Sequence, residues 1–99
     1  MQIDHAVTAD EIVLLKEATP QSYRAWHMDL IGGFIDNDLR LRWPSPEEEL
    51  KTLLDRMQPG DRLWLARSKR YEPHVLIGNV GVAVVRDGVP LWYRIAWQH

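Results

Sequence analysis

Leu50, Leu53, Leu54 and Met57 recur at the i, i+3, i+4, i+7 spacing of a helix with one apolar face. Ser45 as N-cap, Pro46 at the first helical position and Glu48 completing a capping box predict that this helix begins at Ser45 and runs to about Met57. Pro59-Gly60 ends it. Thr8 and Glu11 repeat the capping-box spacing ahead of Ile12, Leu15 and Ala18, which predicts an earlier helix interrupted at Thr19-Pro20. Thr19-Pro20 then starts another, with Tyr23, Trp26, Leu30 and Phe34 on its apolar face and Gly32-Gly33 as its end or distortion. Residues 34–43 read two ways. Leu39, Leu41 and Trp43 alternate with Arg40 and Arg42 as in a short strand, while a helix continuing to Asp38 and followed by loop fits nearly as well.

Further on the period drops to two. Leu63 and Leu65 alternate after Gly60-Asp61, and Val75 to Val85 is rich in β-branched residues, interrupted by Gly78 and Gly81. Those glycines predict a bulge or a close backbone approach. Arg86-Asp87-Gly88 is a hairpin signal leading into Val89 to Trp97. The expected fold is therefore α+β and a single domain over 1–99: two to three N-terminal helices packed on a three-stranded antiparallel sheet of residues about 61–67, 74–86 and 89–97. Leu15, Leu50, Leu53, Leu54, Val82, Val84, Leu91 and Ile95 are its expected core.

Charge sharpens this division. Residues 1–60 hold six Lys and Arg against eleven Asp and Glu, whereas residues 61–99 hold six against three. The first part reads as acidic and helical, the second as mildly basic strands. A 45% apolar and 26% charged composition is that of a globular chain, and the absence of Cys excludes disulfides, thiolate metal sites and a cysteine nucleophile. No apolar run, Val82–Val85 included, approaches the roughly 20 residues of a membrane span. Met1-Gln-Ile-Asp-His lacks the charged and apolar regions of a secretory signal, so the expected location is the cytoplasm.

The segment Leu53-Leu54-Asp55-Arg56-Met57-Gln58-Pro59-Gly60-Asp61-Arg62-Leu63-Trp64, followed by Gly81-Val82-Ala83-Val84-Val85-Arg86-Asp87-Gly88, resembles a group of small uncharacterised bacterial proteins. In that group a helix ending Met-Gln-Pro-Gly-Asp leads into Leu-Trp and, later, into a Gly-rich strand closing on Arg-Asp-Gly. The likeness covers residues 50–90. It implies a bacterial origin and a helix, strand, hairpin order, and transfers no catalytic residue.

Chemistry is sparse. His5, His27, His74 and His99 form no His-x-His, His-x-x-x-His or His-Glu-x-x-His pattern, so no element supplies two zinc ligands. Asp36-Asn37-Asp38 opens like a calcium loop, but Arg40 and Leu41 occupy the positions that need a ligand and a sharply turning Gly. His27 and Asp29 are two apart on a helix and do not face each other. Ser22, Ser45 and Ser68 lack a nucleophile-elbow context, and no phosphate-loop motif occurs, so no catalytic residue, metal or cofactor is expected. Arg67, Lys69, Arg70 and Tyr71, with Arg62 before them, combine cations with a ring that could grip phosphates and stack a base, but the negative net charge weighs against nucleic acid.

The five tryptophans outnumber the three tyrosines and one phenylalanine. If Val89, Leu91, Tyr93, Ile95 and Trp97 face the core, Trp92 points outward beside Arg94. By the same reasoning Trp64 points outward beside Arg62. Tryptophan and arginine are the residues most enriched at binding hot spots. The sequence thus suggests a non-enzymatic protein-binding module of the immunity, inhibitor or adaptor type, of bacterial or phage origin, using Trp64, Trp92, Arg62 and Arg94. Its partner would be another protein or a second copy in a homodimer. The alternatives are nucleic-acid binding through residues 62–71 and a small enzyme with His27 or His74 beside a carboxylate in a deep pocket.

Overall fold

Asp87 and Gly88 both adopt positive φ, +51° and +80°, the two-residue turn that matches the twist of the strands it joins. They connect β4 (Asn79–Arg86) to β5 (Val89–Gln98) in a computed structural model that describes residues 4–98, so His99 and the first three residues of the expected N-terminal segment lie outside it. β3 (Arg62–Ser68) pairs with β4 on its other side. These three strands answer to the expected hairpin and its neighbour, but the sheet does not stop there. β1 (Asp4–Ala6) adds to β5 and β2 (Ile12–Ala18) adds to β3, giving a five-stranded antiparallel sheet in the order β1-β5-β4-β3-β2.

The expected three-stranded sheet behind N-terminal helices is therefore incorrect. Two strands occupy the N-terminal residues, and the helices lie between β2 and β3. Thr8 and Glu11 make the side-chain bonds of a capping box, Thr8 N and Oγ1 each 3.1 Å from Glu11 Oε1, yet they close a turn in which Glu11 N–H donates to the Thr8 carbonyl. Ile12 and Val13, both β-branched, then pair with Ser68 and Arg67 of β3. A sheet edge more than fifty residues away in sequence overrides a local helix signal.

α1 (Pro20–Ile31) begins as expected, with Thr19 as N-cap in a reciprocal pair with Ser22. After a 3-10 turn at Gly32–Phe34, Asp36 caps α2 (Asn37–Leu41), so Leu39 and Leu41 belong to a short helix rather than a strand. The Ser45 helix forms as two turns, α3 (Pro46–Glu49) and α4 (Lys51–Leu54), distorted at Leu50, where φ is −95° and ψ 8°. No helix among the described residues is long and apolar enough to cross a membrane.

Both faces of the sheet carry a core. On one, Leu63, Leu65, Val82 and Val84 pack with Tyr23, Leu50 and Leu53 from the helices. On the other, Ala66, Ala83, Val85 and Tyr93 pack with Val7 and Ile12. The connection from β1 to β2 crosses this second face. Val7 N–H donates to Leu91 in β5, while the Glu11 carbonyl accepts from Lys69 just beyond β3. Four residue steps reach about 13 Å and two strand spacings span about 10 Å, so this short link suffices. Of the expected core, Leu50, Leu53, Val82 and Val84 are buried, while Leu54, Leu91 and Ile95 are half-buried. Leu15 is 49% exposed because it is the extra residue of a bulge between Leu14 and Lys16.

Gly81 meets the expectation of a close approach: a Cβ there would lie 1.9 Å from the Arg94 carbonyl oxygen. At the other end of β4, Arg86 holds Asp61 through two bonds, Nε–Oδ1 at 2.8 Å and Nη2–Oδ2 at 2.9 Å, and Asp61 Oδ2 also accepts from Gln58 N–H. This clips the Gln58–Asp61 turn to the sheet. The Arg86 hydrogen bonds, then the Gln58 amide, pull the Asp61 carboxyl from 3.8 to about 2. The ionised form is favoured in the folded chain, so the stabilisation is complete above pH 3.8 and drains away as pH falls toward about 2. In an acid titration followed by circular dichroism, Asp61→Asn is expected to be less stable than wild type at neutral pH and to lack that part of the acid limb. Superimposable acid limbs would show that the clip contributes nothing.

Candidate functional site

The four residues expected to share an outer face do not share one. Trp64 stands opposite Ala83, which stands opposite Tyr93, so Trp64 belongs to the second face. Leu63, Val84 and Trp92 form another row, and Leu65, Val82 and Arg94 a third, so Trp92 and Arg94 point toward the helices. The expectation assumed that only one face of the sheet is covered. With a core on each face, alternation cannot say which tryptophan is outward.

Trp92 is half-buried and capped by Arg56, whose guanidinium lies 3.8 Å from the ring centroid. Arg94 is only 5% exposed. Its Nε donates to Asp4 Oδ1 and its Nη2 to Thr52 Oγ1, both at 2.6 Å, and its Nη1 donates to the Glu49 carbonyl. Arg94 is thus a structural tie between β1, β5 and the helices. Arg62 is exposed and 3.6 Å from Glu17, and Trp64 beside it is half-buried.

The basic stretch is equally divided. Arg67 folds back so that Nη1 donates to the Ser68 and Lys69 carbonyls, while Arg70 pairs with Glu72 at 3.4 Å. Lys69 is exposed and Tyr71 half-buried. Ser68 Oγ holds the loop, donating to the Arg70 carbonyl at 2.6 Å and accepting from Asn79 N–H at 3.0 Å.

Among the histidines, His27 has the most developed surroundings. It is 2% exposed, stacked on Tyr23 at 5.5 Å, with Trp43 edge-on at 6.3 Å. Burial lowers its pKa from 6.5, against the opposing pull of Glu49 and a bond to the Ala96 backbone, with Arg24 adding to the lowering. Here a histidine does sit near a carboxylate, but enclosed between α1 and residues 43–49. His74 is exposed and His5 lies edge-on to Tyr93. No group of three or more His, Asp or Glu side chains suited to a metal ion occurs among the described residues, and Asp36 serves as a helix cap.

A different feature went unread in the sequence. From Gly32 to Glu49 no residue is buried, whereas Ile31 and Leu50 on either side are core residues. Within this stretch Leu41 is 84% exposed, Phe34 74% and Leu39 40%. Phe34 touches only the edge of the sheet through Trp97, with ring centroids 5.4 Å apart. The available signal was composition: Phe34, Leu39 and Leu41 lie among turn residues with no apolar stripe to join. Comparison with models of protein families, with curated proteins and with solved structures returns no match to this chain. The resemblance of residues 50–90 therefore carries no family assignment.

Proposed function

We propose that this chain is a small protein-binding module of the adaptor, inhibitor or immunity type, and that residues 34–42 carry the contact. The observation that carries this reading is the pairing of high exposure with no core role: Leu41 is 84% and Phe34 74% exposed in a stretch that buries nothing. A large apolar side chain left in water forgoes burial worth about 1.5–3 kcal/mol, which a partner can recover. Arg40 and Arg42 flank Leu41, so the patch combines apolar anchors with cations suited to an interface. Arg62 and Trp64 on the second face are the accessible half of the sequence-derived set and form a secondary contact.

The test is affinity capture followed by a binding titration with the captured protein, using wild type and Phe34→Ser/Leu41→Ser. Because neither residue is buried, the double variant is expected to keep its stability within about 0.5 kcal/mol per site while losing most of its affinity. Light scattering on the same samples tells a second copy from a foreign partner. Undiminished binding by the folded double variant would remove residues 34–42 from the interface. Nucleic acid as the sole captured species would replace this reading with the one based on Arg67, Lys69, Arg70 and Tyr71.

A further inference from the structure

We propose that residues 43–49 are a strap over His27 that acid releases. This goes beyond the contact reading and stands independently of it. The strap reaches α1 through polar contacts: Arg24 Nη2 donates to the Pro44 carbonyl, Gln21 to the Glu47 carboxylate, and Arg24 approaches Glu49 Oε1 to 3.9 Å. Trp43 Nε1 donates to Glu49 Oε1 at 2.7 Å, closing the strap on itself, and Pro44 and Pro46 stiffen the chain between. None of its residues is buried, so lifting it loses little apolar contact, while Ile31 and Leu50 keep its surroundings anchored.

What the strap covers is intolerant of a second cation. The groups facing His27 are Tyr23 and Arg24 from α1, Trp43 and Glu49 from the strap, and the Ala96 backbone from β5. Arg94, also on β5, is already engaged by Asp4, Thr52 and the Glu49 carbonyl. Tyr23 Oη lies 3.5 Å from His27 Nδ1, a contact that a neutral imidazole satisfies. Glu49 is the carboxylate shared here, and both its Oε2 and Arg24 Nε are buried without a hydrogen bond. A protonated His27 would compete with Arg24 for that carboxylate in a dehydrated site. Lifting the strap admits water to both cations. The closed strap holds His27 neutral, so closure is complete above pH 6.5 and weakens as pH falls below it. Because α2 is continuous with the strap, its release also repositions Phe34 and Leu41.

The experiment follows the indole N–H signals of the ¹⁵N-labelled chain, and the His27 ring signals, from about pH 7.5 to about pH 5. The expected result is loss of more than half the Trp43 signal at its neutral-pH position, with the same midpoint as the His27 titration, while Trp64 and Trp92 stay in place. His27→Phe, or His27→Gln should the first not fold, is expected to hold Trp43 in place throughout. A Trp43 signal unmoved in wild type, midpoints that differ, or Trp64 and Trp92 shifting with it would each overturn the proposal. So would a folded His27 variant whose Trp43 signal moves as in wild type.

Discussion

Asp4→Asn is expected to destabilise the fold by about 3–5 kcal/mol, because it strips the counter-charge from a guanidinium that has no access to water. Arg94 is 5% exposed and the Asp4 side chain 4%, and the two meet at 2.6 Å. Thr52 Oγ1 closes a ring by donating to Asp4 Oδ2 at 2.6 Å while accepting from Arg94 Nη2. Asparagine keeps the shape and loses the charge, leaving Arg94 to Thr52 and the Glu49 carbonyl alone. Arg94→Met is expected to cost a similar amount by stranding the carboxylate. The double variant Asp4→Ala/Arg94→Met should recover part of the summed loss, since removing both charges also removes the cost of burying them. Urea titrations of the four proteins measure this cycle. An Asp4→Asn variant within about 1 kcal/mol of wild type would mean that the pair is not sealed from solvent.

Gly81→Ala is the second large effect, expected at about 3 kcal/mol or more. The obstacle to its methyl group is main chain: the Arg94 carbonyl oxygen at 1.9 Å, its carbon at 2.9 Å and Ile95 Cα at 3.1 Å. Main chain cannot rotate aside, so β4 and β5 must part where their register already shifts, between Val80 and Gly81. Gly88 supplies the control, having φ of +80° but open space for 4 Å around the place a methyl group would take. Gly88→Ala should therefore cost only about 1–2 kcal/mol, the left-handed penalty alone. Equal losses at the two positions in the same urea titration would show that the main-chain clash at Gly81 is relieved at little cost. Since the displaced carbonyl belongs to Arg94, Gly81→Ala and Asp4→Asn should not be additive.

Features decided by short-range chemistry were legible in the sequence. The Asp87-Gly88 turn, the caps at Thr19 and Ser45, the stripe through Leu50 and Leu53, and the tight approach at Gly81 each depend on a few neighbouring residues. Features decided by distant partners were not. Thr8 and Glu11 make the same bonds in a turn as at a helix start, and only pairing with β3 makes Ile12–Ala18 a strand. The candidate surface failed for a related reason. Which side of a strand faces water depends on what covers each side, and the link that covers the second face comes from residues 7–11. Arg94 looked like an exposed cation because its partner, Asp4, lies ninety positions away.

That pairing of β1 with β5 also sets the order of events when the chain folds. Asp4, His5 and Ala6 have their places beside Arg94, Tyr93 and Trp92, so the first strand waits until the last has been synthesised and has docked on β4. The β4–β5 hairpin closes across two residues and can form within about 1–10 μs, whereas closing a loop of nearly the whole chain carries a larger entropy cost. A nascent chain on the ribosome consequently holds Asp4 and Val7 unpaired through most of its synthesis. The sheet's second face stays open until the final strand emerges, which makes completion of this fold a late, post-translational step.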